Sequence, residues 1–133
     1  MKLNELLQAS IFAPVARIML ALIFVIAGFN KISGYEGTQG YMSAMGVMPE
    51  LLPAVIFVEI VAGLMLMVGF CTRLAAVSLA GFTLLAGFLF HFNLADQMQY
   101  ILFMKNIAIT GGLLMVAHMG AGAWSIDAKR DMA

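Results

Sequence analysis

Two ionisable residues interrupt long apolar stretches of this chain. Arg17 falls between Ile11 and Phe29, and Glu59 between Leu51 and Phe70. An isolated charge at the centre of a bilayer costs roughly 3 kcal/mol on translocon scales, so each needs a partner, a cavity or an interface. Glu59 sits near the middle of its stretch and Arg17 in the first half of its own. If the two stretches cross in opposite directions, their depths approach each other and the long arginine side chain closes the gap. The spacing therefore predicts a buried Arg17–Glu59 pair. Two other readings stay open. Arg17 snorkels to the headgroups and leaves Glu59 protonated, or Glu59 faces a cavity and binds or relays protons.

A second group gathers at the opposite ends of the stretches. Asn30 and Lys31 end the first, His91 and Asn93 end the third, and Lys105 and Asn106 open the fourth. Lys31, His91, Lys105 and Asn106 are expected at one depth. Such donors suit an anion or the carbonyl oxygens of a quinone, and imidazole exchanges protons near neutral pH. They equally suit a solvated rim. The face of the first stretch that carries Arg17, Phe24, Gly28 and Lys31 would connect this rim to the buried charges. Which residue, if any, is catalytic is open.

Other chemistry is excluded on spacing. His91 and His118 end different stretches on opposite sides, so bis-His haem does not fit one chain. No cluster of His, Cys and carboxylates has metal spacing. No Gly-rich loop joins a strand to a helix, so nucleotide binding has no support. Cys71 is the single cysteine, which rules out an internal disulfide or a Cys-x-x-Cys pair. Net charge is zero, so nothing favours nucleic acid.

The elements that position these residues are four apolar stretches, at Ile11–Phe29, Leu51–Phe70, Leu74–Phe90 and Phe103–Met119. Each is close to the ~20 residues a helix needs to cross a bilayer. Hydrophobic residues make up 63% of the chain and charged ones 11%, against about 25% charged in soluble domains. Mean hydropathy is +1.00. The expected fold is all-α, a four-transmembrane-helix bundle forming a single membrane domain over residues 1–133, with the lipid bilayer as its solvent. Arg17 and the lack of an A-x-A site argue that the first stretch is a retained span and not a signal peptide.

The connections add detail. Lys2 to Ser10 reads as an amphipathic lead-in, with Leu3, Leu6 and Leu7 at helical spacing. Asn30 to Pro53 is the longest link, where Thr38 is placed to cap a short helix carrying Tyr41, Met42 and Met45. That helix packs at the interface or lids a cavity. Cys71-Thr72-Arg73 joins spans two and three so tightly that they must be antiparallel neighbours. Trp124 reads as an interface anchor. Gly63, Gly81, Gly87, Gly111 and Gly112 would allow close helix approach. With four spans both termini share a side, which carries Lys2, Arg73, Lys129 and Arg130 against Lys31 and Lys105 on the other. The positive-inside rule then puts both termini in the cytoplasm.

The segments ARIMLALIFVIAGFNKISGY, EGTQGYMSAMGV, GFCTRLAA, FLFHF, FMKNIAITGGLL and GAWSID, in this order with the Glu59 span between, resemble the DoxX family of small bacterial membrane proteins, close to its YqjF-like members. The resemblance covers nearly the whole chain. It implies a four-helix protein of the bacterial inner membrane, linked to quinone chemistry, redox stress or a putative-oxidoreductase role. The chain carries no redox centre of its own, so electron transfer would need bound quinone or a redox partner subunit. The function expected is a membrane subunit of a quinone-linked redox or redox-stress system. The alternatives are a non-enzymatic scaffold for a soluble redox enzyme and a small transporter. The oligomeric state is not legible.

Overall fold

A computed structural model describes residues 2–130. The described chain is helical throughout, and four helices are long and apolar enough to cross a membrane. The first, α2 (Phe12–Ser33), follows a short α1 (Lys2–Leu7). Pro14 is tolerated in the first turn of α2, where backbone N–H groups have no partner in the helix. The helix outlasts its apolar stretch and takes Asn30 and Lys31 into its last turns. It ends at Gly34, whose N–H bonds the Asn30 carbonyl at 2.9 Å. Next comes α3 (Tyr35–Ala44), which ends before Gly46 at φ +77°. Thr38 lies inside α3 and does not cap it. Its hydroxyl donates to the Gly34 carbonyl at 2.9 Å.

The second span, Pro49–Val68, is not a uniform helix. A 3-10 turn (Pro49–Leu51) leads into α4 (Leu52–Phe57), then a π-helical turn (Val58–Ala62), then α5 (Gly63–Val68). Gly69 at φ +74° ends it, and the Phe70 N–H reaches back to the Met65 carbonyl at 2.9 Å. That is the Schellman arrangement, for which glycine in the left-handed region is the usual residue.

Gly69 to Cys71 link this span to α6 (Thr72–Phe90), so Thr72 and Arg73 begin the helix and are not in the loop. The fourth span is α7 (Gln97–Met119). It starts six residues before the apolar stretch at Phe103, because Asp96 caps it. The Asp96 carboxylate accepts from the Met98 and Gln99 N–H groups at 3.0 and 3.3 Å. A four-residue α8 (Ile126–Lys129) follows, with the Ser125 hydroxyl accepting from the Ala128 N–H at 3.0 Å.

In the bundle α2 packs along the second span and α6 along α7. The core is built from Ala21, Phe24, Leu66, Ala75, Ala76, Leu79 and Leu113. Three of these seven are alanines, which lets the helix backbones approach where the bilayer gives no hydrophobic drive to associate. Gly28 and Gly63 mark the tightest crossing. A Cβ on Gly28 would lie 2.5 Å from Ile60 Cγ1, and one on Gly63 would lie 2.9 Å from Val25 Cγ2. Gly87 similarly faces Asn106, whereas Gly81 and Gly111 face open space and Gly112 meets only an ordinary contact. Large apolar side chains such as Met19, Ile26, Leu85 and Met115 point outward, as lipid-facing surfaces require. Leu3, Leu6 and Leu7 on α1 and Trp124 are also exposed, consistent with an interfacial position.

Candidate functional site

A cavity of about 440 Å³ opens between the spans at the end of the bundle nearest α3. Its walls are apolar side chains of α2, α4, α6 and α7, including Ile23, Phe24, Val55, Phe82, Leu89 and Ile109. Thr38, Tyr41 and Met42 of α3 close one side, and the Tyr41 ring stacks on Phe90 at 5.4 Å. Met42 is buried. The helix at this connection is therefore a cavity wall, as the lid reading required. Polar groups reach the cavity at Lys31, Glu59, Thr83, His91 and Asn106. An apolar pocket of this size with a few convergent polar groups is the usual form of a small-molecule site.

Glu59 is 4% exposed and lies on the π-helical turn. Such turns insert an extra residue into a helix and recur at functional positions. Its partner is Lys31. Nζ lies 2.8 Å from Oε1, the one ion pair among the described residues. The ammonium is within hydrogen-bond distance of Oε1, and no other donor meets that oxygen.

This corrects the expected Arg17–Glu59 pair. Both residues are buried, but they serve opposite ends of the bundle. The Arg17 guanidinium is held by backbone carbonyls. Nη1 donates to Met67 at 2.9 Å and Leu66 at 3.5 Å, and Nη2 to Trp124 at 2.8 Å and Ala123 at 3.3 Å. The Leu66 and Met67 carbonyls end α5, where the helix dipole is negative. Glu59 lies two turns away toward the cavity. Lys31 was missed as its partner because the apolar stretch appeared to end at Phe29, which put Lys31 in the rim. In the structure α2 continues past it.

Asp127 supplies the acid beside Arg17. Oδ1 accepts from the Cys71 N–H and Oδ2 from the Thr72 N–H, both at 2.8 Å, and the Asp127 N–H donates to the Gly69 carbonyl at 2.8 Å. Burial opposes its charge. The hydrogen bonds from Thr72 and Cys71 and the charge of Arg130 outweigh that and hold its carboxyl below the usual range. Asp127 thus caps α6 from a distant segment. No local signal marks this, since the cap lies 55 residues from Thr72.

The four expected rim residues divide. Lys31, His91 and Asn106 line the cavity, whereas Lys105 is exposed on another face of α7 and does not. The early start of α7 explains this: Lys105 and Asn106 lie more than two turns inside the helix, and neighbours on a helix point about 100° apart. Asn106 Nδ2 donates to the Thr83 carbonyl at 3.1 Å and ties α7 to α6. His91 Nδ1 lies 2.8 Å from Gln99 Oε1. An amide oxygen only accepts, so this contact pairs it with the tautomer that carries its hydrogen on Nδ1. Gln99 and Thr83 had no distinguishing signal in sequence.

The family of this chain is decided by comparison with known proteins. The DoxX family profile matches residues 12–92. The chain belongs to the DoxX family. It is 52% identical to the inner membrane protein YqjF of Escherichia coli K12 over 113 residues, covering 85% of this chain and 87% of that one. It is 37% identical to the inner membrane protein YphA of the same organism over 122 residues, covering 86% and 87%. No solved structure matches it. The matched segment of this DoxX protein contains Arg17, Lys31, Glu59, Thr83 and His91, and so most of the cavity wall.

Proposed function

We propose that this DoxX protein is a membrane subunit of a redox system of the bacterial inner membrane, and that it binds a quinone in the cavity beside Glu59. The observation that carries this reading is the ion pair of Lys31 and Glu59 set in the wall of an otherwise apolar pocket. A charged pair is a costly feature to keep there unless it is used. A ligand with a flat apolar body and polar ring oxygens fits such a lining. Lys31 Nζ and Thr83 Oγ1, the latter buried without a hydrogen-bond partner, are positions where those oxygens would find donors.

A bound quinone supplies two-electron, two-proton chemistry at its ring oxygens. Lys31 and Asn106 would hold those oxygens, and the Glu59 carboxylate would accept a proton from the reduced ring. Tyr41 and Met42 keep water from the ring. Electrons come from a partner redox subunit. The inner-membrane location rests on the names of YqjF and YphA.

Titration of the detergent-purified protein with a short-tailed benzoquinone, followed by calorimetry, tests the reading. Saturable binding is expected in the wild type. Lys31→Met should weaken it about ten-fold or more, as loss of a hydrogen bond from a charged donor does. Lys105→Ala, whose side chain faces away, should leave it unchanged. Absence of saturable binding overturns the proposal.

A further inference from the structure

Thr83 behaves unlike the other helical threonines near the cavity. A threonine inside a helix ordinarily bonds its hydroxyl to the carbonyl one turn back. Thr38 does so to Gly34 at 2.9 Å, and Thr110 to Asn106 at 2.7 Å. The Thr83 hydroxyl does not. It is 4% exposed, has no hydrogen-bond partner, and lies on the cavity wall. The backbone at this point is held instead from the neighbouring helix, through Asn106 Nδ2 on the Thr83 carbonyl. A buried hydroxyl left unpaired is costly, so such groups call for an explanation.

Glu59 presents the complementary gap. Oε1 meets Lys31 Nζ at 2.8 Å and no other donor, which leaves the carboxylate with spare lone pairs. A carboxylate is an acceptor only, while a hydroxyl both donates and accepts. The cavity therefore holds a carboxylate with acceptor capacity beyond its Lys31 contact and one adaptable hydroxyl. An oxidised quinone carries acceptors alone. It can take a hydrogen bond from Lys31 or Thr83, but its ring oxygen offers Glu59 nothing. A reduced quinol carries O–H groups, one of which donates to Glu59 while its other oxygen bonds Thr83.

We propose that Glu59 and Thr83 make this cavity selective for the reduced, hydroxyl-bearing form of its ligand, the quinol, over the oxidised quinone. This rests on the quinone reading above and adds which redox form is retained. Thr83 is then a specificity-determining residue. Its role is separable from folding, because the bond from Asn106 uses its backbone carbonyl and survives any side-chain change.

The test is anaerobic titration of the purified protein with one short-tailed compound in both redox states. The quinol is expected to bind about ten-fold tighter, the scale of one hydrogen bond to a charged acceptor. Thr83→Val keeps the shape and removes the hydroxyl, and should narrow that ratio several-fold. Thr83→Ser restores the hydroxyl and should restore the ratio. Glu59→Gln replaces an acceptor by a group that also donates, and should erase or reverse the preference. Equal affinity for the two forms, or tighter quinone binding, overturns the selectivity and leaves the quinone site standing. An unchanged ratio in Thr83→Val overturns the role of Thr83. Binding of neither form removes the quinone reading itself.

Discussion

The Asp127 carboxylate takes the backbone N–H of Thr72 at 2.8 Å and so caps a helix that begins 55 residues before it. Through this contact a four-residue helix outside the spans becomes part of the bundle. Asp127→Ala should lower stability by about 1–2 kcal/mol, the range for loss of a helix N-cap. The pH dependence follows from its lowered folded-state pKa. Stability from such a group is fully present above the unfolded value of about 3.9 and is lost as pH falls through the lower folded value. Thermal unfolding in detergent should therefore show a gap between wild type and Asp127→Ala that is constant near neutrality and shrinks below about pH 4. A gap that widens on acidification would contradict the assignment.

Lys31 and Glu59 should be energetically coupled, and Arg17 and Glu59 should not. Removing one member of a buried pair costs about 3–5 kcal/mol in soluble proteins, and less is expected here because the Lys31 side chain is 29% exposed. Lys31→Met with Glu59→Gln should therefore cost less than the two single losses added. Arg17→Met with Glu59→Gln should be additive, as for distant sites. Double-mutant cycles on denaturation midpoints decide between the two pairings.

Gly69 and Gly81 should respond oppositely to alanine. At Gly69 φ is +74°, and a Cβ would collide with Ser125 Cβ and lie 2.7 Å from Arg17 Nη1. Gly69→Ala should cost more than the ~1 kcal/mol of an unfavourable left-handed residue, because the arginine must also move. Gly81 lies exposed in α6 with no neighbouring atom within 4 Å of its Cβ position. Gly81→Ala should be neutral or stabilising by up to ~1 kcal/mol. Melting temperatures of the two variants check this.

Topology is the remaining test. Lys2, Arg73, Lys129 and Arg130 share one side of the four spans, so that side is expected to be cytoplasmic. Reporter fusions after Arg73 and Arg130 should report cytoplasm, and those after Gly40 and Gln97 the opposite side. A cytoplasmic signal at Gly40 would invert the orientation and place the cavity mouth on the inner face.

The four spans were legible because long apolar stretches state length and order directly. Their ends were less so. Hydropathy at Phe29 and Phe103 marked where apolar residues stop, while Gly34 and Asp96 decide where the helices stop and start. That difference moved Lys31 into a helix beside Glu59 and turned Lys105 away from the cavity. Pairing failed for a second reason. Depth along a span can be read from a sequence, but an acceptor on the main chain cannot, and the Arg17 Nη groups are held by four carbonyls while Nε has no partner. Composition marked Glu59 as a residue needing an explanation. It gave no warning of the π-helical turn beneath it, nor of Thr83, one threonine among several.

That π-helical turn divides the second span into two halves that answer to different neighbours. Below it, the α5 carbonyls grip Arg17; at its upper end, Glu59 reaches Lys31. Deleting one residue within 58–62 would let the helix become regular, yet it would rotate one half against the other by about 100°. Either the guanidinium or the ammonium would then lose its partner. The extra residue acts as a phase shift between an anchoring end and a binding end. Each half can hold its own alignment without compromising the other.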